Sequence, residues 1–283
     1  MNKNTYKDTV SGDLSISELE SKAKLMRIEI IRMIHSAGSG HAGGSLSVCE
    51  LLSVLYFMEL NIDPQHPKKP ERDRLILSKG HAAPALYAAL ALKGFFPVEE
   101  LGTLRKIGSR LQGHPDMNKL PGIDISSGSL GMGISFGIGT SIAAKMNMLN
   151  YRTYVITGDG ELDEGQNWEA FMAAPKFMLD NLMVIVDYNK IQLDGSIDDI
   201  MPLHDLKQKL KAFNWNVLEC DGHNVKDIIQ SLCKAKEIKN VPTVLIAHTV
   251  KGKGVSFMEH KYEWHGAAID KKAYEIAMKE LGG

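Results

Sequence analysis

Residues 153–195 read TYVITGDGELDEGQNWEAFMAAPKFMLDNLMVIVDYNKIQLDG, and their order decides the fold. An apolar, β-branched run, YVIT, stops at Gly158-Asp159-Gly160. A helical stretch follows, and a second run, LMVIVD, stops at Tyr188-Asn189. With 28 residues between Gly160 and Asn189, the segment has the length of one β-α-β unit. Both polar groups then belong at successive strand ends, on the same edge of a sheet. There Asp159 offers a hard carboxylate oxygen, Asn189 a neutral amide oxygen and Ile191 a backbone carbonyl. Such a donor set suits Mg²⁺ and leaves the ion positive charge for bound phosphates. Gly158 and Gly160 let the backbone approach those phosphates, and the helix start beyond them favours anions. A bare GDG is a common turn; GDG after one strand with Asn after the next is far more specific.

Working outward, apolar runs recur at 74–77, 216–219 and 243–247, which with 154–157 and 182–187 predict five strands. Helix candidates lie between them at 82–93, 97–106, 131–148, 164–178, 224–237 and 270–280. Strands that are apolar throughout and alternate with helices predict an α/β fold: a doubly wound, mainly parallel sheet with helices on both faces. Ligands bind such sheets beyond the carboxyl ends of the strands. Ahead of the sheet, Ser17 with Glu20 predicts a capping box. It would open an amphipathic helix through Leu25, Ile28, Ile31, Met33 and Ile34, stopping at Gly38 and Gly40. A second helix is expected at about 46–60, ending before Asp63-Pro64. Residues 1–14 read as a flexible tail and 15–283 as one domain. The candidate helix at 131–148 carries Gly131, Gly133, Gly137 and Gly139 in its first turns, each costing up to ~1 kcal/mol relative to alanine. Close approach of a ligand or another helix would offset that, as would tight packing inside the domain.

Lys plus Arg (33) nearly balance Asp plus Glu (34), so no overall field favours nucleic acid or an anionic membrane. Cys49, Cys220 and Cys233 lack CxxC spacing and read as small buried apolar residues of a reducing compartment, not a disulfide framework. The N-terminus lacks the apolar core of a signal peptide, and no run approaches the ~20 apolar residues of a membrane span. The expected location is the cytoplasm.

The GDG…N unit resembles the thiamine-diphosphate fingerprint, and further segments covering nearly the whole chain resemble transketolase. These are HSAGSGHAGG with His41, DRLILSKGHA with His81, LQGHPD with His114, SSGSLGMGIS with Gly128 and Leu130, GDGELDEG with Glu161 and Glu164, and WHG with His265. The resemblance implies thiamine diphosphate with Mg²⁺, for which Ca²⁺ or Mn²⁺ could substitute, and transfer of a two-carbon ketol unit between sugars. By resemblance, His81 and His265 bind the diphosphate and flank the substrate channel. His114 meets the donor's C1 hydroxyl or carbonyl oxygen, and His41 and His265 handle protons on donor and acceptor. Imidazole suits such work, with a pKa near ~6.5. Gly128 and Leu130 would line the cofactor's rings. Glu161 joins the cofactor-binding set with Gly158, Gly160 and Asn189, and Glu164 is expected in a carboxylate network across a subunit interface. Ala42 stands where many members have proline. Lys251 and Lys253, in HTVKGKG, stand where some have an apolar and an aromatic residue; Lys251 could contact the diphosphate, while Lys253 reads as a solvated lysine.

Of the ten histidines, His35, His66, His204, His223, His248 and His260 match no motif and read as structural or surface groups. The other four have neither HxxxH nor HExxH spacing, which argues against zinc. Full transketolases are more than twice as long, and the glutamate that activates the cofactor lies in a second, pyrimidine-binding domain. The resemblance therefore implies a C-terminal partner subunit supplying that domain and the C-terminal domain, in an α2β2 assembly acting on sugar phosphates or related anionic sugars. A truncated chain is the other reading of the length. Rival functions are the α-subunit of a 2-oxo acid dehydrogenase, a deoxyxylulose-phosphate-synthase-like enzyme, a transketolase specialised for a branched or sulfonated ketose, and a non-catalytic regulatory relative.

Overall fold

In a computed structural model describing residues 14–283, five strands form one wholly parallel sheet in the order β1-β2-β3-β5-β4. The strands are β1 (Arg74–Leu77), β2 (Thr153–Gly158), β3 (Leu182–Tyr188), β4 (Asn216–Asp221) and β5 (Thr243–His248). All five coincide with the apolar runs, because a parallel sheet covered on both faces needs side chains that are apolar in both directions. Val155, Val184, Ile185 and Leu245 are accordingly fully buried. Two hydrophobic clusters flank the sheet. One packs α1 (Ile16–Ala37) and α4 (Ala83–Lys93) against Leu75, Leu77, Tyr154 and Ile185. The other packs α5 (Gly133–Met146) and α6 (Gly165–Lys176) against Ile76, Val155, Val184 and Val186.

The helix N-terminus falls two residues before the expected one. Ser15 Oγ accepts from the Glu18 N–H at 3.3 Å, and Glu18 accepts from the Ser15 N–H at 2.7 Å. In SISELE both Ser15/Glu18 and Ser17/Glu20 have capping-box spacing. The hydrophobic staple decides between them: Leu14, before the cap, packs on the core that holds buried Leu19, whereas Ile16 in the same role would be exposed. Leu25 also departs from expectation, lying 43% exposed on the outer side of α1.

The second helix is broken. It runs as α2 (Ala42–Leu46), α3 (Cys49–Val54) and a π turn (Leu55–Glu59), ending at Leu60 before Asp63-Pro64 as expected. The break falls at Ser47, whose hydroxyl turns to donate to Asp187 Oδ2 at 2.7 Å. Residues 97–106 form only a 3-10 turn, Val98–Thr103, followed by Arg105 at φ 59°. Two short helices that the sequence pattern did not reveal, α7 (Ile197–Ile200) and α8 (Leu206–Ala212), precede β4. The chain closes with α9 (Val225–Glu237) and α10 (Lys271–Leu281).

Two of the four glycines follow the packing reading. A Cβ at Gly133 would strike Ser78, and one at Gly137 would lie 2.6 Å from Val155 Cγ2, so both serve tight packing on the sheet. Gly139 instead faces open space, and Gly131 (φ 84°) stays outside the helix. Cys49 and Cys220 are buried and Cys233 is partly so. The expected tail at 1–14 lies outside the described residues except for Leu14.

Candidate active site

The carboxyl ends of four strands meet at one cavity of about 140 Å³. Lys79 and His81 follow β1, Gly158, Asp159 and Gly160 close β2, Asn189 and Ile191 follow β3, and Lys251 follows β5; all of them line it, with Gly44, Leu130 and His265. A second, larger hollow on α5 touches none of these residues and is a surface groove.

Buried charge dominates the floor. Asp187 is fully buried and accepts from Lys79 Nζ (2.6 Å), Ser47 Oγ (2.7 Å), Asn189 Nδ2 (3.0 Å) and the Thr249 hydroxyl. Burial alone would raise its pKa, but the Lys79 charge and these hydrogen bonds hold it below the ordinary range. Asp159, 2% exposed, accepts from the backbone N–H groups of Gly160 and Lys190. Its carboxyl is nevertheless pushed up to about 7, first by desolvation and then by the Asp187 charge. It is a carboxylate short of cations. Lys251 Nζ, also buried, bonds to the carbonyls of Ile191 (2.9 Å) and Gln192 (3.2 Å) and to His265 Nδ1 (2.9 Å). Desolvation lowers it to about 8, partly offset by Asp159.

The four motif histidines come together beside this floor. Ring centroids lie 4.9 Å apart for His81–His265, 5.3 Å for His41–His81, 5.5 Å for His41–His265 and 6.3 Å for His41–His114. Desolvation, then neighbouring cations, lowers His41 to about 4 and His265 to about 3. His81 falls well below the usual range and His114 is also lowered, each first by desolvation. All four rings are neutral at cellular pH; Nδ1 of His41 accepts from Arg105 Nη2 at 3.4 Å and Nδ1 of His265 from Lys251 Nζ at 2.9 Å, so in these two Nε2 carries the proton. Gly128, at φ 153°, leaves room for the His114 ring 3.3 Å from where its Cβ would be.

Glu161 and Glu164 sit differently. Glu161 is buried, and both its oxygens are engaged: by Ser78 Oγ and the Gly131 N–H (2.9 Å), and by Thr157 Oγ1 (2.8 Å) and the Gly158 N–H (3.1 Å). It staples the GDG turn to the 126–133 loop. Glu164 is exposed beside Gly131. Lys253 is partly exposed and pairs with Glu259 at 3.6 Å.

Sequence reasoning missed Lys79, Asp187 and Arg105. The signal for Asp187 was present: an aspartate ending an apolar run must be paired where it is buried. Lys79, two residues before His81 at another strand end, was its available partner. Arg105 gave no signal, because only the folded loop brings its guanidinium 3.4 Å from His41 Nδ1.

Parallel strands whose ends gather GDG, the following Asn and a cluster of neutral histidines define the thiamine-diphosphate-binding class of α/β proteins. A family described as "Transketolase, thiamine diphosphate binding domain" matches residues 19–283. The 6-deoxy-6-sulfo-D-fructose transketolase subunit SqwG of Clostridium sp. (strain MSTE9) is 47% identical over 264 residues, 93% of this chain and 96% of its own length. One apulose-4-phosphate transketolase subunit, from Phocaeicola vulgatus, is 40% identical, with 95% of each chain covered. The crystal structure of Campylobacter jejuni transketolase superposes with a TM-score of 0.89 at 32% identity, covering 95% of this chain but 43% of that one. The chain belongs to the transketolase family, and it is the thiamine-diphosphate-binding part of a ketol-transferring enzyme.

Proposed function

We propose that this chain is the cofactor-holding subunit of a two-chain transketolase, moving a two-carbon ketol unit from an anionic ketose to an aldose in the cytoplasm. The observation that carries the reading is the cavity joining Asp159, Asn189 and Ile191 to Lys79, Lys251, His81 and His265, with His41 packed against both rings. Its donors fit Mg²⁺ with a diphosphate: an under-compensated buried carboxylate, an amide and a carbonyl all border it. Ca²⁺ or Mn²⁺ would satisfy the same oxygen ligands. Asp159, Asn189 and the Ile191 carbonyl would hold the metal. Gly158, Gly160, Lys251, His81 and His265 would hold the diphosphate, and Gly128 and Leu130 would border the rings. Glu161 serves this set by positioning the GDG turn. When bound, thiamine diphosphate supplies the electron sink that carbon–carbon cleavage next to a carbonyl requires.

The chain's own residues do the rest. His41 and His265, neutral and partly desolvated, would handle the protons of the donor hydroxyl and the acceptor aldehyde through Nε2, with Arg105 and Lys251 on their other ring nitrogens. His114, at the exposed rim, would orient the donor through its C1 hydroxyl or carbonyl oxygen. The buried Lys79–Asp187 pair keeps the floor rigid.

A partner subunit is part of the proposal. The sulfofructose and apulose-phosphate transketolase subunits align with this chain over nearly their whole lengths, whereas the Campylobacter enzyme is more than twice as long. Phe136, on α5, and Met172, on α6, are 47% and 59% exposed, an apolar face suited to cover by another polypeptide. Glu164 lies exposed nearby, and an α2β2 assembly would place the pyrimidine-binding domain against it. The relatives' names make phosphorylated, branched and sulfonated ketoses the substrate candidates.

The test is transfer from xylulose 5-phosphate, apulose 4-phosphate or 6-deoxy-6-sulfofructose to an aldose phosphate, with the chain alone and mixed with a candidate partner subunit. Activity only in the mixture is expected. Activity from the chain alone would overturn the two-chain reading, and no thiamine diphosphate binding in any combination would overturn the function.

A further inference from the structure

His223, read from sequence as a structural or surface histidine, belongs to a buried cluster that grips the Lys251 loop at two points. Glu50 and Arg27, both 7% exposed, form a two-pronged pair at 2.6 Å on each arm. Val250 N–H donates to His223 Nε2 at 2.8 Å, which fixes the proton on Nδ1, and Nδ1 donates to Glu50 Oε2 at 2.9 Å. On the other side Arg27 Nε donates to the Lys253 carbonyl at 2.9 Å, and its Nη2 donates to the Leu46 carbonyl at 3.2 Å. Residues 250 and 253 are therefore held by one connected unit, and Lys251 lies between them.

We infer that Arg27, Glu50 and His223 form a positioning clamp that aims Lys251 into the cavity and so sets the affinity for the cofactor's diphosphate. The inference rests on the proposed role of Lys251. Residues 251 and 252 lie between the held positions and are themselves tied, the Gly252 N–H to the Gly43 carbonyl and the Lys251 carbonyl to the His260 N–H, each at 3.0 Å. Loss of either clamp anchor loosens the backbone next to the lysine at one flank. The Lys251 side chain is long and rich in rotamers, and aiming it without an anchored backbone would cost conformational entropy at the moment of binding. The cluster itself is internally satisfied. Burial would raise the Glu50 pKa, but hydrogen bonds from His223 and Arg27 hold it at about 2. It touches neither Asp159 nor Asn189; its contacts toward the site run to the loop, at Val250 and Lys253, and to the end of α2 at Leu46, and the Lys251→Ala background separates the two.

A double-mutant cycle tests this. Titration calorimetry would measure thiamine diphosphate with Mg²⁺ binding to the full chain, with its partner subunit present if binding needs it. His223→Ala should weaken binding about tenfold, the scale of residues that orient a ligand-holding group. Arg27→Lys, which keeps the charge and loses the two-pronged grip, should weaken it less. In a Lys251→Ala background both effects should shrink below about twofold, because the residue they aim is gone. Melting curves would check that each variant is folded at the titration temperature; if His223→Ala is not, Arg27→Lys carries the same cycle. Losses that persist in full with Lys251→Ala would overturn the clamp while leaving the functional reading intact. Failure of the unsubstituted chain to bind the cofactor, alone or with its partner, would overturn both.

Discussion

Lys79, Asp187, Asp159 and Lys251 meet burial with charge; the histidine cluster beside them, with His81 and His265 lining the same hollow and His41 and His114 next to it, meets it with neutrality. The charged floor survives because its members pair: Asp187 accepts four hydrogen bonds and Lys79 reaches both Asp187 and the Gly44 carbonyl at 2.6 Å. The histidines have no carboxylate partner among the described residues, so desolvation strips their protons. The contrast separates tasks. A fixed lattice of charge with one carboxylate, Asp159, left short of cations suits holding a metal and phosphates, and unprotonated imidazoles suit moving protons.

Breaking the floor should cost most. Lys79→Ala leaves the Asp187 carboxylate buried without its cation, a loss of about 3–5 kcal/mol from a total that is typically about 5–15 kcal/mol. Denaturant unfolding of the chain would read it. A decrease under about 1 kcal/mol, the scale of an exposed pair, would mean the pair is solvated in solution. Breaking the histidine half should leave folding intact. His41→Ala in the assembled enzyme should lower the rate of ketol transfer by about 10²–10⁴-fold, with cofactor affinity little changed. A proportional loss of affinity would move His41 from proton transfer to binding.

The smallest effect sharpens the contrast through pH. His41 and His265 titrate near 4 and 3 when folded, against 6.5 ordinarily. Below about pH 6.5 the unfolded chain takes up protons that these two folded rings refuse, so their contribution to stability falls from pH 6.5 toward 4, against the opposite contribution of Asp159, raised to about 7. Glu50 acts in a lower window. Its folded value of about 2 against 4.5 contributes stability that is present above pH 4.5 and lost as pH falls toward 2. Melting curves across pH should show the upper slope flattened by His41→Gln and the lower one by Glu50→Gln. An unchanged upper slope in His41→Gln would mean that this ring is not desolvated.

Much of this arrangement was legible in the sequence because it depends on strand ends. Apolar runs fix where a parallel strand stops, and the residue after it must lie at the carboxyl edge; that placed Asp159 and Asn189, while the family resemblance singled out His81 and Lys251, which follow β1 and β5 into the same cavity. Local competition was less legible. Ser15 displaced Ser17 as the cap, with Leu14 packed on the core cluster that holds Leu19, and Ser47 broke a helix to reach Asp187, a residue 140 positions away. Long-range pairs of that kind leave no periodic trace. The Arg27–Glu50–His223 cluster was invisible for the same reason, since its three members come from α1, α3 and the turn after β4.

The central claim is that the strand-end oxygens bind a divalent cation together with a diphosphate, and one titration addresses it directly. Thiamine diphosphate would be titrated into the chain, with its partner subunit present, in Mg²⁺ and again in excess chelator, for the native sequence and for Asp159→Ala. Binding that requires Mg²⁺ and disappears in Asp159→Ala is the predicted result; equal affinity with and without the metal, or an unaffected Asp159→Ala, would contradict it.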